Sequence, residues 1–122
     1  MVDIATLRRL AAALPGAQDT STDAALGFSL DGKGFAWSWN ERVHPKQPKR
    51  PNLGVLAVRC VPEEKETLLE LDPVKFFTEA HYNGFPAILV RLGEVDEAEM
   101  AGLLATAHRC VAVHPKPRRG RS

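Results

Sequence analysis

The feature that most constrains this fold is an Asn83-Gly84 pair between two runs of strand-forming residues, in the segment 76–92. A two-residue type I′ turn needs positive φ at both central positions, and Asn-Gly meets that need well. The segment therefore predicts a β-hairpin whose exposed tip brings together His81, Tyr82 and Asn83. Because a hairpin joins antiparallel strands, we expect an antiparallel sheet.

A second hairpin is predicted over residues 24–40, with its turn at 31–34. Apolar and small residues alternate on both sides of that turn, and the alternation puts Phe35, Trp37 and Trp39 on one face. That face is either a platform on which bases could stack or a sheet face buried under helices. We favour the core for Phe35 and Trp37, and expect Trp39 to be the more exposed.

Three segments, 3–14, 62–71 and 97–111, have the composition and spacing of helices. Asp3 and Asp96 are suited to cap the first and the last of them, and Pro15-Gly16 ends the first. Residues 53–60 are predicted to form a strand, and 18–23 and 41–52 to form loops. The order αβββαββα predicts an α+β two-layer sandwich, with a five-stranded antiparallel sheet and three helices.

The length of 122 residues fits one domain, which we place at 1–114, followed by a basic tail at 115–122 that we expect to be disordered. No apolar run approaches the roughly 20 residues that span a bilayer. Arg8 and Arg9 interrupt the only candidate for a signal peptide, so we expect a cytoplasmic protein without membrane association. Cys60 and Cys110 are expected to be free thiols, with a disulfide or redox pair as the alternative.

The net charge of +1 conceals an uneven distribution. Segments 42–51 and 116–121 each hold four Lys or Arg residues and no acid, so the rest of the chain carries an excess of its 15 acids. Both segments are rich in proline, which favours exposed, extended chain. Their basic residues either contact nucleic-acid phosphates or only keep exposed chain soluble; we favour solubility.

Four short motifs together resemble the MmcQ/YjbR family over residues 4–114. They are Leu14-Pro15-Gly16, Gly32-Lys33-Gly34-Phe35-Ala36, His81-Tyr82-Asn83-Gly84 and Leu103-Leu104-x-x-Ala107. The resemblance implies an α+β fold with a curved antiparallel sheet, akin to type III secretion chaperones and described as a double-wing DNA-binding arrangement. It implies no cofactor and no established catalytic residues. Where some members carry a lysine and a tryptophan near the last hairpin turn, this sequence has Gly84 and Phe85-Pro86.

Other polar residues admit two interpretations. Arg59 and Arg91, in strands, could form a basic patch on the sheet with Lys33, or could pair with Glu79 across strands, which we favour slightly. The His81–Asn83 tip could bind an anion or a base edge, or could serve only the turn, which we favour.

Enzyme signatures such as GxSxG, the Walker loop, GxGxxG and HExxH are missing, and the four histidines lack metal-ligand spacing. We therefore expect no catalysis, metal or cofactor, and a monomer or weak homodimer. The leading hypothesis is weak, sequence-tolerant binding of DNA or another nucleic acid. Its expected contacts are Lys33, Trp39, Arg42, Lys46, Lys49, Arg50, Arg59, His81, Tyr82, Asn83 and Arg91. The alternative is a protein-interaction module that binds a peptide or a second copy of itself.

Overall fold

The computed structural model describes residues 2–22, 24–41, 50–79, 82 and 85–113. In chain order the elements are α1 (Ile4–Ala12), β1 (Gln18–Asp19), β2 (Gly27–Leu30), β3 (Lys33–Glu41), β4 (Arg50–Arg59), α2 (Pro62–Leu71), β5 (Phe76–Phe77), β6 (Ala87–Arg91), a 3-10 turn (Leu92–Glu94) and α3 (Glu97–Val113). The α+β class and the three predicted helices are confirmed. None of the helices in the described residues combines the length and apolar character needed to cross a bilayer.

The sheet has six strands in the order β1-β2-β3-β4-β6-β5, and all of its pairs are antiparallel. The prediction of five strands is wrong because Gln18 and Asp19, expected in a loop, pair with Ser29 and Phe28 as β1. A two-residue strand is too short to show period-2 alternation. The carboxylate of Asp19 also accepts a 2.8 Å hydrogen bond from Arg8 Nε, which ties this edge to α1.

Local sequence signals set the ends of two helices. Asp3 caps α1 by accepting the Thr6 N–H at 2.8 Å. At the start of α3, Asp96 accepts the Glu99 N–H at 2.7 Å, and the Glu99 side chain accepts the Asp96 N–H at 3.0 Å. These reciprocal bonds form a capping box, which fixes the helix start without tertiary help.

All three helices cover one face of the sheet. The helix-side core contains Leu7 and Ala11 of α1, and Met100, Leu104, Ala107 and Val111 of α3, packed on Phe28, Leu56, Val58, Phe76, Ile88 and Val90 of the strands; Leu68 and Leu69 of α2 pack against it. His108 on α3 donates to the carbonyl of Pro15 at 2.6 Å, which joins α3 to the end of α1.

A two-residue turn at Asp31-Gly32 joins the paired residues Leu30 and Lys33, so it is shorter than the turn predicted at 31–34. Asp31 and Gly32 have φ values of 51° and 81°, as a type I′ turn requires. The antiparallel strands predicted on either side of Asn83-Gly84 are confirmed as β5 and β6, in which Phe76 and Phe77 pair with Val90 and Leu89. The predicted Asn83-Gly84 turn itself lies outside the described residues. β5 ends at Phe77 and β6 begins at Ala87, so the connection between these strands is far longer than a two-residue turn.

Two strands depart from the predicted pattern. Phe28 and Ser29 pair with Ala36 and Gly34, so Phe35 is an extra, bulged residue in β3. The bulge turns Phe35 toward the helices, and the prediction that it shares a face with Trp37 and Trp39 is wrong. In addition, β4 begins at Arg50 instead of 53. Pro51 lacks an N–H, but the strand tolerates it because this stretch of β4 is bonded to β3 alone.

Candidate functional site

The second face of the sheet carries aromatic side chains. Strand register places Trp37, Ala57, Leu89 and Phe77 side by side across β3, β4, β6 and β5. Val55, Ala57 and Leu89 are buried there beneath half-exposed Trp37, Trp39, Phe77 and Tyr82. We define the aromatic face as Trp37, Trp39, Phe77, Tyr82 and Phe85. In the described part of the chain, no residue of α1, α2 or α3 belongs to this second cluster.

Trp37 is held in place by two neighbours from the β5–β6 connection. Its Nε1 donates to the Tyr82 hydroxyl at 3.0 Å. The Phe85 ring meets it edge-on at 6.2 Å between centroids and meets Tyr82 at 5.8 Å. Trp37 is thus half-buried on the open face and not in the helix-side core. Tyr82, expected at an exposed tip, is half-buried against the sheet.

Trp39 lies farther along β3 and packs edge-on against Phe77, with 5.5 Å between ring centroids. It is half-buried, on the same face as Trp37, as its sequence period predicts. Edge-to-face contact of this kind orients a ring while leaving part of its π surface free for another partner.

Arg59 is at one end of the aromatic face. Its Nε donates to the Gly34 carbonyl at 2.6 Å, and its guanidinium carbon lies 5.3 Å from the Trp37 centroid and 5.6 Å from that of Phe85. These distances are typical of cation–π contacts. Burial lowers the pKa of Arg59, which remains a cation because guanidinium titrates far above neutral pH.

Arg91 lies toward the opposite end. Its guanidinium carbon is 4.1 Å from the Phe77 centroid, and its Nη1 donates to the carbonyl of Val74 at 2.9 Å. Arg59 pairs with Ala87 and Arg91 with Val55 in the β4–β6 ladder, so the two are four residues apart along the strands. At the strand rise this is about 13 Å.

Neither arginine forms an ion pair with a carboxylate among the described residues. Cross-strand pairing with Glu79, the arrangement favoured from sequence, is therefore not the one adopted. Each guanidinium instead contacts an aromatic ring and backbone carbonyls, which carry no formal negative charge. The open face thus combines partly exposed rings with two arginines that have no carboxylate partner in the part of the chain that the structure describes.

The other residues proposed from sequence are only partly described. Lys33 begins β3 beside Gly34, whose carbonyl binds Arg59, and Arg50 begins β4. Beyond Val55, the pairing of β3 with β4 continues to Glu41 and Arg50 as a two-stranded ribbon. Outside the described residues lie Arg42, Lys46, Lys49, His81 and Asn83, together with the side chain of Arg50.

Sequence reasoning missed Lys65, which is only 7% exposed on α2. Its Nζ donates to the backbone carbonyls of Tyr82 and Phe85, the latter at 2.9 Å. Burial lowers the pKa of this ammonium. The helical spacing could have indicated that Lys65 is buried, because it lies on the same face of α2 as Leu68 and Leu69, three and four residues on.

The cysteines are free thiols near the helix side. Burial raises the pKa of Cys60 to about 12, and burial is also the main reason that the pKa of Cys110 is raised. A thiol with a raised pKa is a poor nucleophile at neutral pH.

Within the ranges that the structure describes, no three His, Cys, Asp or Glu side chains form a group that could hold a metal ion.

Comparison with known proteins adds to this geometry. The crystal structure of Deinococcus radiodurans protein DR2400, with a DUF419 domain, resembles this structure with a TM-score of 0.64. The two chains are 21% identical, and the match covers 95% of this chain and 79% of DR2400, so the likeness supports the fold alone. None of the curated proteins matches the chain. The family model YjbR matches residues 12–110, and the protein therefore belongs to the YjbR family.

Proposed function

We propose that the open aromatic face binds single-stranded nucleic acid without strong sequence preference. The observation that carries the proposal is that Arg59 and Arg91 lie beside partly exposed aromatic rings on the sheet face that α1, α2 and α3 leave open, with no carboxylate partner among the described residues. Proteins that bind single strands combine these same two elements, aromatic rings for bases and cations for phosphates.

Base stacking is the contribution of the tryptophans. Trp39 is oriented by its edge-to-face contact with Phe77 and is partly exposed, so an unpaired base could stack on the accessible part of the indole. Because every base has a π surface, this contact is sequence-tolerant. A duplex keeps its bases stacked on one another, which favours a single strand as the ligand.

Phosphate contact is the contribution of the arginines. The bonds of Arg59 to Gly34 and of Arg91 to Val74 each use one guanidinium nitrogen and fix the plane of the group. The remaining N–H donors could bind phosphate oxygens at both ends of the aromatic face. The basic residues of 42–50 would add electrostatic attraction by charge alone.

The distribution of acids supports this choice of face. α2 carries the exposed acids Glu63, Glu66 and Glu70, and α3 begins with Glu97 and Glu99. Phosphate would be repelled from that helix layer, so attraction is concentrated on the open face. The proposal involves no catalytic step.

The test is fluorescence anisotropy of a short labelled oligothymidylate and of a DNA duplex, titrated with protein at several salt concentrations. We expect the single strand to bind more tightly than the duplex, with affinity falling steeply as salt rises. Arg59→Gln and Arg91→Gln should each reduce the salt slope by about 0.7, the value for one lost phosphate contact on a single strand. Arg9→Gln, which removes an equal charge from α1, is the matched control.

Absence of binding at low salt would refute the proposal, as would an equal loss of affinity in Arg9→Gln. The second candidate, a protein-interaction module, is favoured by Leu71, the last residue of α2, and Val74, three residues on, which are 73% and 57% exposed. It predicts salt-insensitive self-association or peptide binding that Leu71→Ser weakens and Arg59→Gln does not. Analytical ultracentrifugation of these two variants would distinguish this candidate from nucleic-acid binding.

A further inference from the structure

A buried lysine supports the aromatic face from behind. Lys65 is the one charged side chain among the described residues that is buried, and no carboxylate in that part of the chain forms an ion pair with it. Its partners are the backbone carbonyls of Tyr82 and Phe85. An unpaired buried charge is costly, so its carbonyl contacts must stabilise it.

The two residues that Lys65 holds are the same two that orient Trp37. The Tyr82 hydroxyl accepts the Trp37 Nε1–H at 3.0 Å, and the Phe85 ring lies against the indole at 6.2 Å. Phe85 also lies 5.6 Å from the guanidinium carbon of Arg59. A short chain of contacts therefore connects α2 to one end of the aromatic face.

We propose that Lys65 is a positioning residue, whose ammonium fixes Tyr82 and Phe85 so that Trp37 and Arg59 are held in their orientation for binding. The consequence for binding rests on the function proposed above. The effect on Trp37 does not, because it concerns the protein without ligand.

The choice of side chain follows from geometry. A lysine has a four-carbon stem that can cross the edge of α2 and an ammonium with three donors, enough for both carbonyls. Methionine matches the stem in shape but donates no hydrogen bond. Lys65→Met would therefore remove the ammonium from both carbonyls, which would keep only their backbone donors, the N–H of Phe85 for Tyr82 and that of Ala87 for Phe85. Tyr82 and Phe85 would then lose their bonds to α2.

The test follows the indole N–H resonances in ¹H–¹⁵N spectra of the free protein, together with oligothymidylate affinity. We expect Lys65→Met to shift the Trp37 resonance and leave that of Trp39 in place, and to weaken oligothymidylate binding about tenfold, equivalent to about 1.4 kcal/mol. Lys65→Arg, which keeps donors and charge, should recover part of both effects.

Leu68→Ala is the matched control, because Leu68 lies on the same helix and packs against the helix-side core. It should lower stability without moving the Trp37 resonance. An unchanged Trp37 resonance in folded Lys65→Met, or an equal shift in Leu68→Ala, would overturn the proposal. If Lys65→Met does not fold, Lys65→Gln, which retains a donor without the charge, must give an intermediate shift or the proposal fails. A shift without any oligothymidylate binding in the wild type would uphold this role and refute only the function proposed above.

Discussion

The two faces of one sheet are built on different principles. The helix side is packed with aliphatic side chains and phenylalanines that are almost fully buried, such as Phe35, Leu56 and Leu104. On the opposite side, three small or aliphatic residues are buried within the described chain, beneath partly exposed rings and stacked arginines. The first arrangement yields stability by area removed from water, whereas the second leaves polar and π surface accessible.

This difference indicates where the molecule can accept change. A side chain on the helix side touches neighbours in every direction, so its loss leaves a cavity. A side chain on the aromatic face has water on one side and relaxes more easily. We therefore expect helix-side substitutions to lower folding stability and open-face substitutions to lower binding.

The largest effect is expected on the helix side. Phe35 is fully buried between Phe28 and His108, with ring centroids 6.5 and 5.8 Å away. Phe35→Ala should lower the free energy of unfolding by about 3–5 kcal/mol, as buried Phe→Ala changes do. Urea unfolding followed by circular dichroism measures it. A loss no greater than that of Trp39→Ala would break the comparison between the faces.

The next effect concerns binding through the aromatic face. Trp39→Ala should weaken oligothymidylate binding by about 1–3 kcal/mol, the contribution of one stacked base. Its stability loss should be smaller than that of Phe35→Ala, since Trp39 is half-exposed. Anisotropy and urea unfolding on the same preparations give both quantities. Trp39→Phe, which keeps an aromatic ring, should retain most of the affinity.

A smaller effect is expected at Tyr82. Tyr82→Phe removes the acceptor of the Trp37 indole N–H and keeps the ring that packs on Phe85. Stability should fall by about 0.5–1.5 kcal/mol, the net contribution of one hydrogen bond. The Trp37 indole resonance should move while that of Trp39 stays. A fixed Trp37 resonance would show that this bond does not hold the indole.

The smallest effect is expected for an exposed ion pair. Arg9 Nη2 lies 2.5 Å from Glu97 Oε1, and both side chains are more than half exposed. Arg9→Gln should change stability by less than about 1 kcal/mol, because exposed pairs are screened by water and salt. Thermal unfolding at low and high salt measures the change. A larger loss would mean that α1 depends on this pair for its docking on α3.

Much of the fold could be predicted from local signals. The caps at Asp3 and Asp96 mark helix starts at positions that the structure confirms. Such signals act through bonds a few residues apart, so they are legible in the sequence. β1 and the early start of β4 at Arg50 escaped prediction because each depends on a neighbouring strand.

The candidate site was predictable only in part. The period of β3 put Trp37 and Trp39 on one face. Arg59 and Arg91 were proposed as a basic patch with Lys33, and their position on the same face as Trp37 was not predicted. The contacts of those arginines with rings and carbonyls were not foreseen, because ring stacking leaves no spacing rule in the sequence. Lys65 was overlooked since its partners, Tyr82 and Phe85, are 17 and 20 residues away.

By itself, the sequence determined the helices, the presence of a turn beginning at Asp31 and the antiparallel class, since each depends on backbone preferences and bonds between near neighbours. Tertiary structure decided which side chains face the helices and which face water. The bulge at Phe35 is the clearest case, because one extra residue in β3 moves a phenylalanine to the helix side while Trp37 remains on the open side. Whether a strand takes in an extra residue depends on the register that its partners allow, which is a property of the assembled sheet.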